Sequence, residues 1–274
     1  MPAVAEALGI APMPADDDMS RVSLWHRITA RILIVVFGAG CVLPGGAFAA
    51  PIADPSGPIA FRPGVGQTST GVPAVDITRP NAGGTSYNRY QRFDVDQEGV
   101  VLNNSSQGGT TLLGGRVAAN PNLAGGAGAS VIVNEVVAPG AASQLTGSIE
   151  VFGAPAAVIV ANPNGVTCAG CGTVNSPRFT LSTGTPVWLD GLGSPASFAG
   201  ASGVGFDVLG GQVRVEGHGL EGTVGKVELV GGSIQLDGPV RAHYLNPDLA
   251  GITVLAGAGR VAEKAGQLDN LSPG

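Results

Sequence analysis

The chain has 274 residues, of which 45 are glycine and 20 are proline, while hydrophobic types make up 44% and charged types only 12%. A chain this apolar and this weakly charged is not disordered, and so many glycines argue against a mainly helical protein, because each interior glycine costs about 1 kcal/mol relative to alanine. The formal net charge is -6 and no run of Lys or Arg is present, which excludes nucleic acid as a partner.

Residues 1–49 are typical of a secretory signal peptide. Arg27 and Arg31 precede an apolar stretch over residues 32–43, which is shorter than the roughly 20 residues that a membrane-spanning helix needs. The small residues Ala47 and Ala49 predict cleavage before Ala50.

Two details of this N-terminal region bear on targeting. Residues 1–18 carry four acidic side chains ahead of the basic part of the signal, so Met19 is an alternative start. Gly38 stands three residues before Cys41, where a lipoprotein signal would have leucine or a similar residue, and this disfavours a lipid anchor.

Cys168 and Cys171 are the two cysteines beyond the predicted cleavage site. In an exported protein such a pair favours a disulfide, and a closed loop of four residues contributes about 2 kcal/mol. A zinc site would need two further ligands, and the histidines beyond the signal, His218 and His243, are distant in sequence. A redox role would need a βαβ context that the sequence lacks. We therefore predict no metal, no cofactor and no catalytic residue.

Residues 50–67 are rich in Pro, Gly and Ala and predict an irregular or extended lead-in segment. Beyond it, short apolar runs alternate with Gly, Asn and Pro, a pattern that indicates short strands. These predicted strands are residues 100–102, 131–133, 149–152, 158–160 and 179–181.

Residues 206–215 are echoed by residues 226–236, and the Gly-Gly pairs of the two segments are 21 residues apart. This period is typical of one coil of a parallel β-helix, in which glycine serves the corners. We expect four side chains to point inward, Val213, Val215, Ile234 and Leu236, and four to alternate outward, Gln212, Arg214, Ser233 and Gln235. A β-sandwich is the alternative fold.

Two asparagine-proline clusters stand out. The first is Asn120-Pro121-Asn122-Leu123, and the second is Asn162-Pro163-Asn164-Gly165-Val166, which Cys168 follows closely. Each cluster has the chemistry of a turn, because Pro presets φ and Asn bonds its own backbone.

In this order the clusters resemble those of the secretion (TPS) domain of two-partner secretion exoproteins, the filamentous haemagglutinin family. Val166 replaces the isoleucine that is more usual in the second cluster. Further segments that resemble the family are residues 71–73, 87–96, 102–105, 130–136 and 175–186.

The resemblance implies an all-β, right-handed parallel β-helix with short capping and extra-helical strands over residues 68–274. It implies export through the periplasm of a Gram-negative bacterium to the cell surface or the medium. The partner would be an outer-membrane β-barrel transporter, whose periplasmic domains recognise the chain before it folds. By the same resemblance, residues 120–123 and 162–166 are the candidates for secretion competence, although a purely structural role in turns is equally open. Full family members act in adhesion, which makes a host or neighbouring cell surface a further possible partner.

Two other functions stay open from the sequence. Polysaccharide lyases and hydrolases also use β-helices, and coil stacking could bring Asp207 beside Glu228, 21 residues later. We expect this pair to belong to a solvated outer face and the chain to be a non-enzyme, because the acidic residues are scattered. The chain also stops almost where the secretion domain of the family should end. We therefore expect one of three cases: a stand-alone small adhesin, a truncated reading frame or a remnant of a longer one.

Overall fold

The computed structural model describes residues 49–221, 225–242, 251–264 and 267–271. The predicted signal sequence up to Phe48, with Ala47 of its cleavage site, lies outside these residues, and so does His243. Within them the chain forms 22 strands, numbered β1 to β22 in chain order, and three 3-10 helices at Ile59–Phe61, Pro121–Leu123 and Phe198–Gly200.

Most strands belong to three sheets that form the sides of one stack, which we call faces A, B and C. Face A is the longest and is parallel from its second strand onward. Its strands are β1 (Ile52–Ala53), β4 (Thr85–Arg92), β8 (Val131–Val136), β11 (Ala157–Ala161), β14 (Arg178–Ser182), β18 (Lys226–Gly231) and β20 (Gly251–Ala256).

Faces B and C complete each coil, because the chain passes from A to C to B and back to A. Face B contains β2 (Gly64–Gln67), β3 (Pro73–Asp76), β5 (Val100–Asn104), β10 (Ser148–Gly153) and β13 (Gly172–Val174). Face C contains β9 (Ser143–Leu145), β12 (Val166–Cys168), β17 (Gln212–Val215) and β19 (Ser233–Leu236). This arrangement is a parallel β-helix, as predicted, and the stacked parallel pairing excludes the β-sandwich.

Short antiparallel strands close the first coil. Within the lead-in segment, β1 pairs with β4 and β2 pairs with β3, both antiparallel. Each covers the backbone edge that the first parallel strand of its face would otherwise leave unpaired.

Two excursions leave the coil. The hairpin of β6 (Gly109–Thr110) and β7 (Arg116–Val117) lies between β5 and β8. An antiparallel sheet contains β15 (Thr185–Leu189), β16 (Gly203–Val208), β21 (Gly259–Lys264) and β22 (Gln267–Leu271).

The antiparallel sheet explains why face A is buried on both sides. Alternate residues such as Ile132 and Val158 fill the inside of the coil, while Val133 and Ile159 point outward and pack with Phe206 of β16. Strands buried on both faces read as continuous apolar runs rather than as alternating ones, which is the pattern that marked them in the sequence.

The strand predictions hold for all five apolar runs, each of which lies within β5, β8, β10, β11 or β14. The 21-residue repeat is confirmed in part. In face C, Val213 pairs with Ile234 and Val215 with Leu236. Gly211 turns the corner with a φ of +78°, where a Cβ atom would meet the Pro163 carbonyl oxygen at 2.7 Å.

The prediction that residues 206–208 stack on residues 227–229 as a strand of the coil was wrong. Residues 206–208 do not lie beneath β18, because β16 leaves the coil and pairs antiparallel with β15 and β21; β14 takes the place next to β18. The inward prediction also fails at Leu236, which is 50% exposed while Val215 is fully buried. The cause is position, since β19 is the last strand of face C among the described residues.

Candidate functional site

The first asparagine-proline cluster forms the corner at which the chain returns from face B to face A. Asn120 begins the 3-10 helix Pro121–Leu123, and its Oδ1 accepts from the Asn122 N–H at 2.9 Å. Pro121 occupies a position where a missing N–H costs nothing. The exposed Pro121 and the fully buried Leu123 give the corner one face toward water and one toward the core.

Asn120 also joins this corner to the rest of the coil. Its Nδ2 donates to the carbonyl oxygens of Ile77 at 3.0 Å and Asn103 at 2.8 Å, and the side chain is buried. The Nδ2 of Asn122 donates to the same Ile77 oxygen at 3.1 Å and to that of Asp76 at 3.2 Å. Two amides of the corner therefore donate to three backbone carbonyls of other segments of the coil.

The second cluster forms a corner between two other faces, from β11 of face A to β12 of face C. Buried Asn162 accepts the Asn164 N–H at 2.9 Å and donates to Ala141 O at 3.2 Å and Ser143 Oγ at 3.1 Å, in the preceding coil. Pro163 and Asn164 are exposed, whereas Gly165 and Val166 are buried. The Nδ2 group of the exposed Asn164 also donates to the carbonyl oxygen of Ala138, earlier in the chain, at 3.0 Å.

The structure places the two clusters at different corners, and no hydrogen bond within the described ranges joins one to the other. They share one design, a buried first asparagine and an exposed proline. Two further asparagines have the same role and were not predicted as site residues, although both lie in segments that resemble the family. Asn104 Nδ2 bonds the carbonyls of Ala129 and Ala154, and Asn175, at φ +59°, bonds those of Val151 and Gly153.

Cys168 and Cys171 are joined by a disulfide, with a Cα–Cα distance of 5.3 Å. Cys168 ends β12, two residues after the last residue of the second cluster, and both cysteines are buried in the core of the coil. The bridge therefore fixes the turn from face C to face B in the coil that the second cluster begins.

The carboxylates of the candidate enzyme pair are not brought together. Asp207 lies in the antiparallel sheet, where Arg260 donates to both of its oxygens at 2.7 and 3.0 Å and lowers its pKa. Glu228 lies in β18 beside β14, accepts from Thr180 Oγ1 at 2.7 Å and pairs with Lys226 at 3.2 Å. Coil stacking does not bring the pair together, because β16 is not a strand of the coil. The prediction of a solvated outer face is wrong for Glu228, which is buried.

A second buried acidic residue lies on the outer side of face A. Burial raises the pKa of Glu135, against the opposing effects of the Tyr87 hydroxyl, which donates to its Oε2, and of Arg89. Burial and the neighbouring carboxylate in turn raise the pKa of Tyr87 far above its usual value. This pair lies beneath the antiparallel sheet, since Tyr87 packs at 4.7 Å against Trp188 of β15.

The described part of the chain has neither a metal site nor a membrane-spanning helix. No group of three or more His, Cys, Asp or Glu residues there is arranged to hold a metal ion. No helix there is long and apolar enough to cross a membrane. His218 is an exposed turn residue.

The stacked coil, its capping strands and its asparagine corners define a β-helical domain of an exported protein. A sequence model described as the TPS secretion domain matches residues 50–272. The crystal structure of the filamentous hemagglutinin secretion domain superimposes with a TM-score of 0.68 at 34% identity, covering 81% of this chain and 68% of that one.

Curated relatives agree. A "tRNA nuclease CdiA" of Yersinia mollaretii is 40% identical over 205 residues, 74% of this chain and 6% of that protein. A "16S rRNA endonuclease CdiA" of Enterobacter cloacae is 39% identical over 244 residues, 88% of this chain and 7% of that protein. A "Hemolysin" of Serratia marcescens is 42% identical over 172 residues, 63% of this chain and 10% of that protein.

The chain therefore belongs to the TPS secretion domain family of two-partner secretion exoproteins, as the sequence motifs indicated. It spans only 6 to 10% of the length of these curated relatives. Proteins of this family pass through the periplasm and are secreted or held at the surface of Gram-negative bacteria. The matched region is a secretion domain and not a catalytic one.

Proposed function

We propose that this domain directs its own polypeptide to a cognate outer-membrane two-partner transporter, and that the two asparagine-proline corners confer secretion competence by allowing the coil to form during export. The observation that carries the proposal is the burial of Asn120 and Asn162, each of which bonds backbone or side-chain groups of another segment of the coil.

The route fits the physics of the fold. Parallel strands such as β8 and β11 pair residues that are 26 positions apart, for example Ile132 with Val158. Non-local pairing of this kind folds slowly, which gives the periplasmic domains of a transporter time to capture an extended chain, for instance by adding a strand to a sheet edge. Folding on the far side of the membrane would then keep the chain from sliding back.

The test is the double variant Asn120→Ala/Asn122→Ala, expressed together with the transporter. The variant removes four side-chain hydrogen bonds to the Asp76, Ile77 and Asn103 carbonyls, and one hydrogen bond contributes about 0.5–1.5 kcal/mol. We expect a several-fold fall in the amount of protein in the medium. The purified variant should also unfold at lower urea concentration than the wild type.

The matched control is Gln91→Ala/Gln107→Ala, which removes two amides from exposed side chains. Secretion of the asparagine variant at the control's level would contradict the proposal. A variant that unfolds like the wild type yet accumulates in the periplasm would assign the asparagines to direct recognition by the transporter instead. Adhesion to a host or neighbouring cell stays a prediction.

A further inference from the structure

A surface pocket of about 490 Å³ lies beside the first asparagine-proline corner. Its lining comes from the 3-10 helix Ile59–Phe61, the segment of residues 78–82, Asn122 and Phe198. The volume is in the range of sites that hold small ligands or a few residues of a peptide. Nothing in the secretion route described above uses this pocket.

The apolar wall of the pocket is held rigidly. The Phe61 and Phe198 rings meet edge to face at 5.2 Å, and both contact Tyr87, at 4.8 and 5.8 Å. Trp188 packs behind Phe198 at 5.0 Å. Ile59 at the rim is 83% exposed, so an apolar side chain is presented to solvent next to a preformed aromatic surface.

The charge of the pocket is positive, although the chain as a whole is acidic. Among the residues that the structure describes, Arg62 and Arg79 are the charged ones that line it, and both are exposed. The Arg62 guanidinium is held in place, because its Nε donates to Asp54 O at 3.2 Å and its Nη2 to the carbonyls of Pro55 and Gly57. None of these bonds uses Nη1. A positioned guanidinium with N–H groups to spare is suited to a carboxylate.

The polar amides of the pocket are already committed. Asn81 Nδ2 donates to the carbonyls of Phe198 and Ala201, and Asn122 Nδ2 to those of Asp76 and Ile77. A sugar would bring several hydroxyl groups that need partners, and these amide donors are not available to it. The pocket therefore favours a ligand with one carboxylate next to an apolar group.

We propose that this pocket binds an acidic peptide segment, in which an aspartate or glutamate pairs with Arg62 and Arg79 and a neighbouring aliphatic or aromatic side chain packs on Ile59 and Phe61. Charge complementarity and the apolar wall select this partner over a neutral peptide or a glycan. The site acts in the folded domain, and it stands whether or not the corner asparagines govern export.

The test uses a random heptapeptide phage library panned on the secreted, folded protein, with counter-selection against the double variant Ile59→Ser/Arg79→Gln. Both side chains are exposed, so the variant should retain the thermal unfolding midpoint. The matched control is Leu112→Ser/Arg116→Gln on the β6–β7 hairpin, where Leu112 is 80% exposed and Arg116 is exposed. Affinities of the selected peptides are then measured by calorimetry.

We expect enriched peptides that carry Asp or Glu beside an aliphatic or aromatic residue. Their affinity should fall at least about tenfold in the pocket variant and when the acid is replaced by its amide, and should be unchanged in the hairpin control. Enrichment of peptides without an acidic residue, equal binding by both variants, or no enrichment over the counter-selection would overturn the proposal. Competition with polygalacturonate, an acidic glycan, would also overturn the proposal if it displaced the bound peptides at a lower concentration than the free peptides need to displace one another.

Discussion

A buried asparagine side chain offers a donor and an acceptor together, and the corners of this β-helix use both. At Asn120 and Asn162 the Oδ1 atom closes the local turn, while the Nδ2 group bonds a carbonyl elsewhere in the coil. Aspartate has the acceptor without the donor, and serine has a shorter reach. This explains why asparagine rather than another turn residue opens both clusters.

At the same scale, Glu135 makes stability depend on pH. Because burial raises its pKa above the ordinary value of 4.5, the folded protein binds more protons than the unfolded chain between the two pKa values. The free energy of unfolding therefore falls as the pH rises from about 4.5 through the raised pKa. Glu135→Gln removes this loss and retains an acceptor for the Tyr87 hydroxyl.

We expect Glu135→Gln to gain stability relative to the wild type as the pH rises from 4 to about 8, measured by urea unfolding across that range. Glu98→Gln is the control, because Glu98 is exposed. Parallel pH profiles for the wild type and Glu135→Gln would show that burial does not penalise the charged carboxylate.

At the scale of elements, one buried side chain of the coil binds the loop of the β6–β7 hairpin. Glu150 of β10 accepts from the backbone N–H groups of Leu112 at 2.9 Å and Leu113 at 2.8 Å, in the loop of the hairpin. Hydrogen bonds to a charged group contribute about 1.5–3 kcal/mol each. This carboxylate accordingly holds the excursion against the outer side of face B.

Glu150→Ala should release the hairpin while the coil persists, because the bonds it removes end in the loop between β6 and β7. We expect faster amide hydrogen exchange over residues 109–117 and little change over β11 and β14, measured by mass spectrometry. Glu150→Gln keeps one acceptor, so its exchange rate over residues 109–117 should lie between those of the wild type and Glu150→Ala. Unchanged exchange over residues 109–117 in Glu150→Ala would contradict this role.

The antiparallel sheet is the element that the sequence misassigned. Residues 206–208 have the apolar spacing of a coil strand, and period-2 alternation shows which side chains are buried without showing which strand lies alongside. Phe206 is indeed buried, but against the outer side of face A rather than inside the coil. Pairing partners are non-local, so a single local pattern fits both arrangements.

At the scale of the whole molecule, stability is a sum over stacked coils, and each coil is stabilised by its neighbours on both sides. Leu229 in β18 lies between β14 and β20 and is fully buried, whereas Leu236 in the last strand of face C is half exposed. The same truncation should therefore have different effects at the two positions.

Leu229→Ala should cost about 2–5 kcal/mol of unfolding free energy, as buried leucines do, and Leu236→Ala less than about 1 kcal/mol. Denaturant unfolding of the two purified variants measures the difference. Equal losses would mean that another part of the chain covers Leu236 in solution.

The sequence by itself predicted the positions of β5, β8, β10, β11 and β14, the turn chemistry of the two asparagine-proline clusters and the family. Local turn chemistry and apolar runs lie in consecutive residues, so they can be recognised without the fold. Only the tertiary structure decided which strands leave the coil, that Asp207 and Glu228 lie apart, and which distant carbonyls Asn120 and Asn162 satisfy. The physical reason is that these features depend on pairing between residues 14 to 55 positions apart. The energy of such pairing depends on neighbours that no local pattern contains.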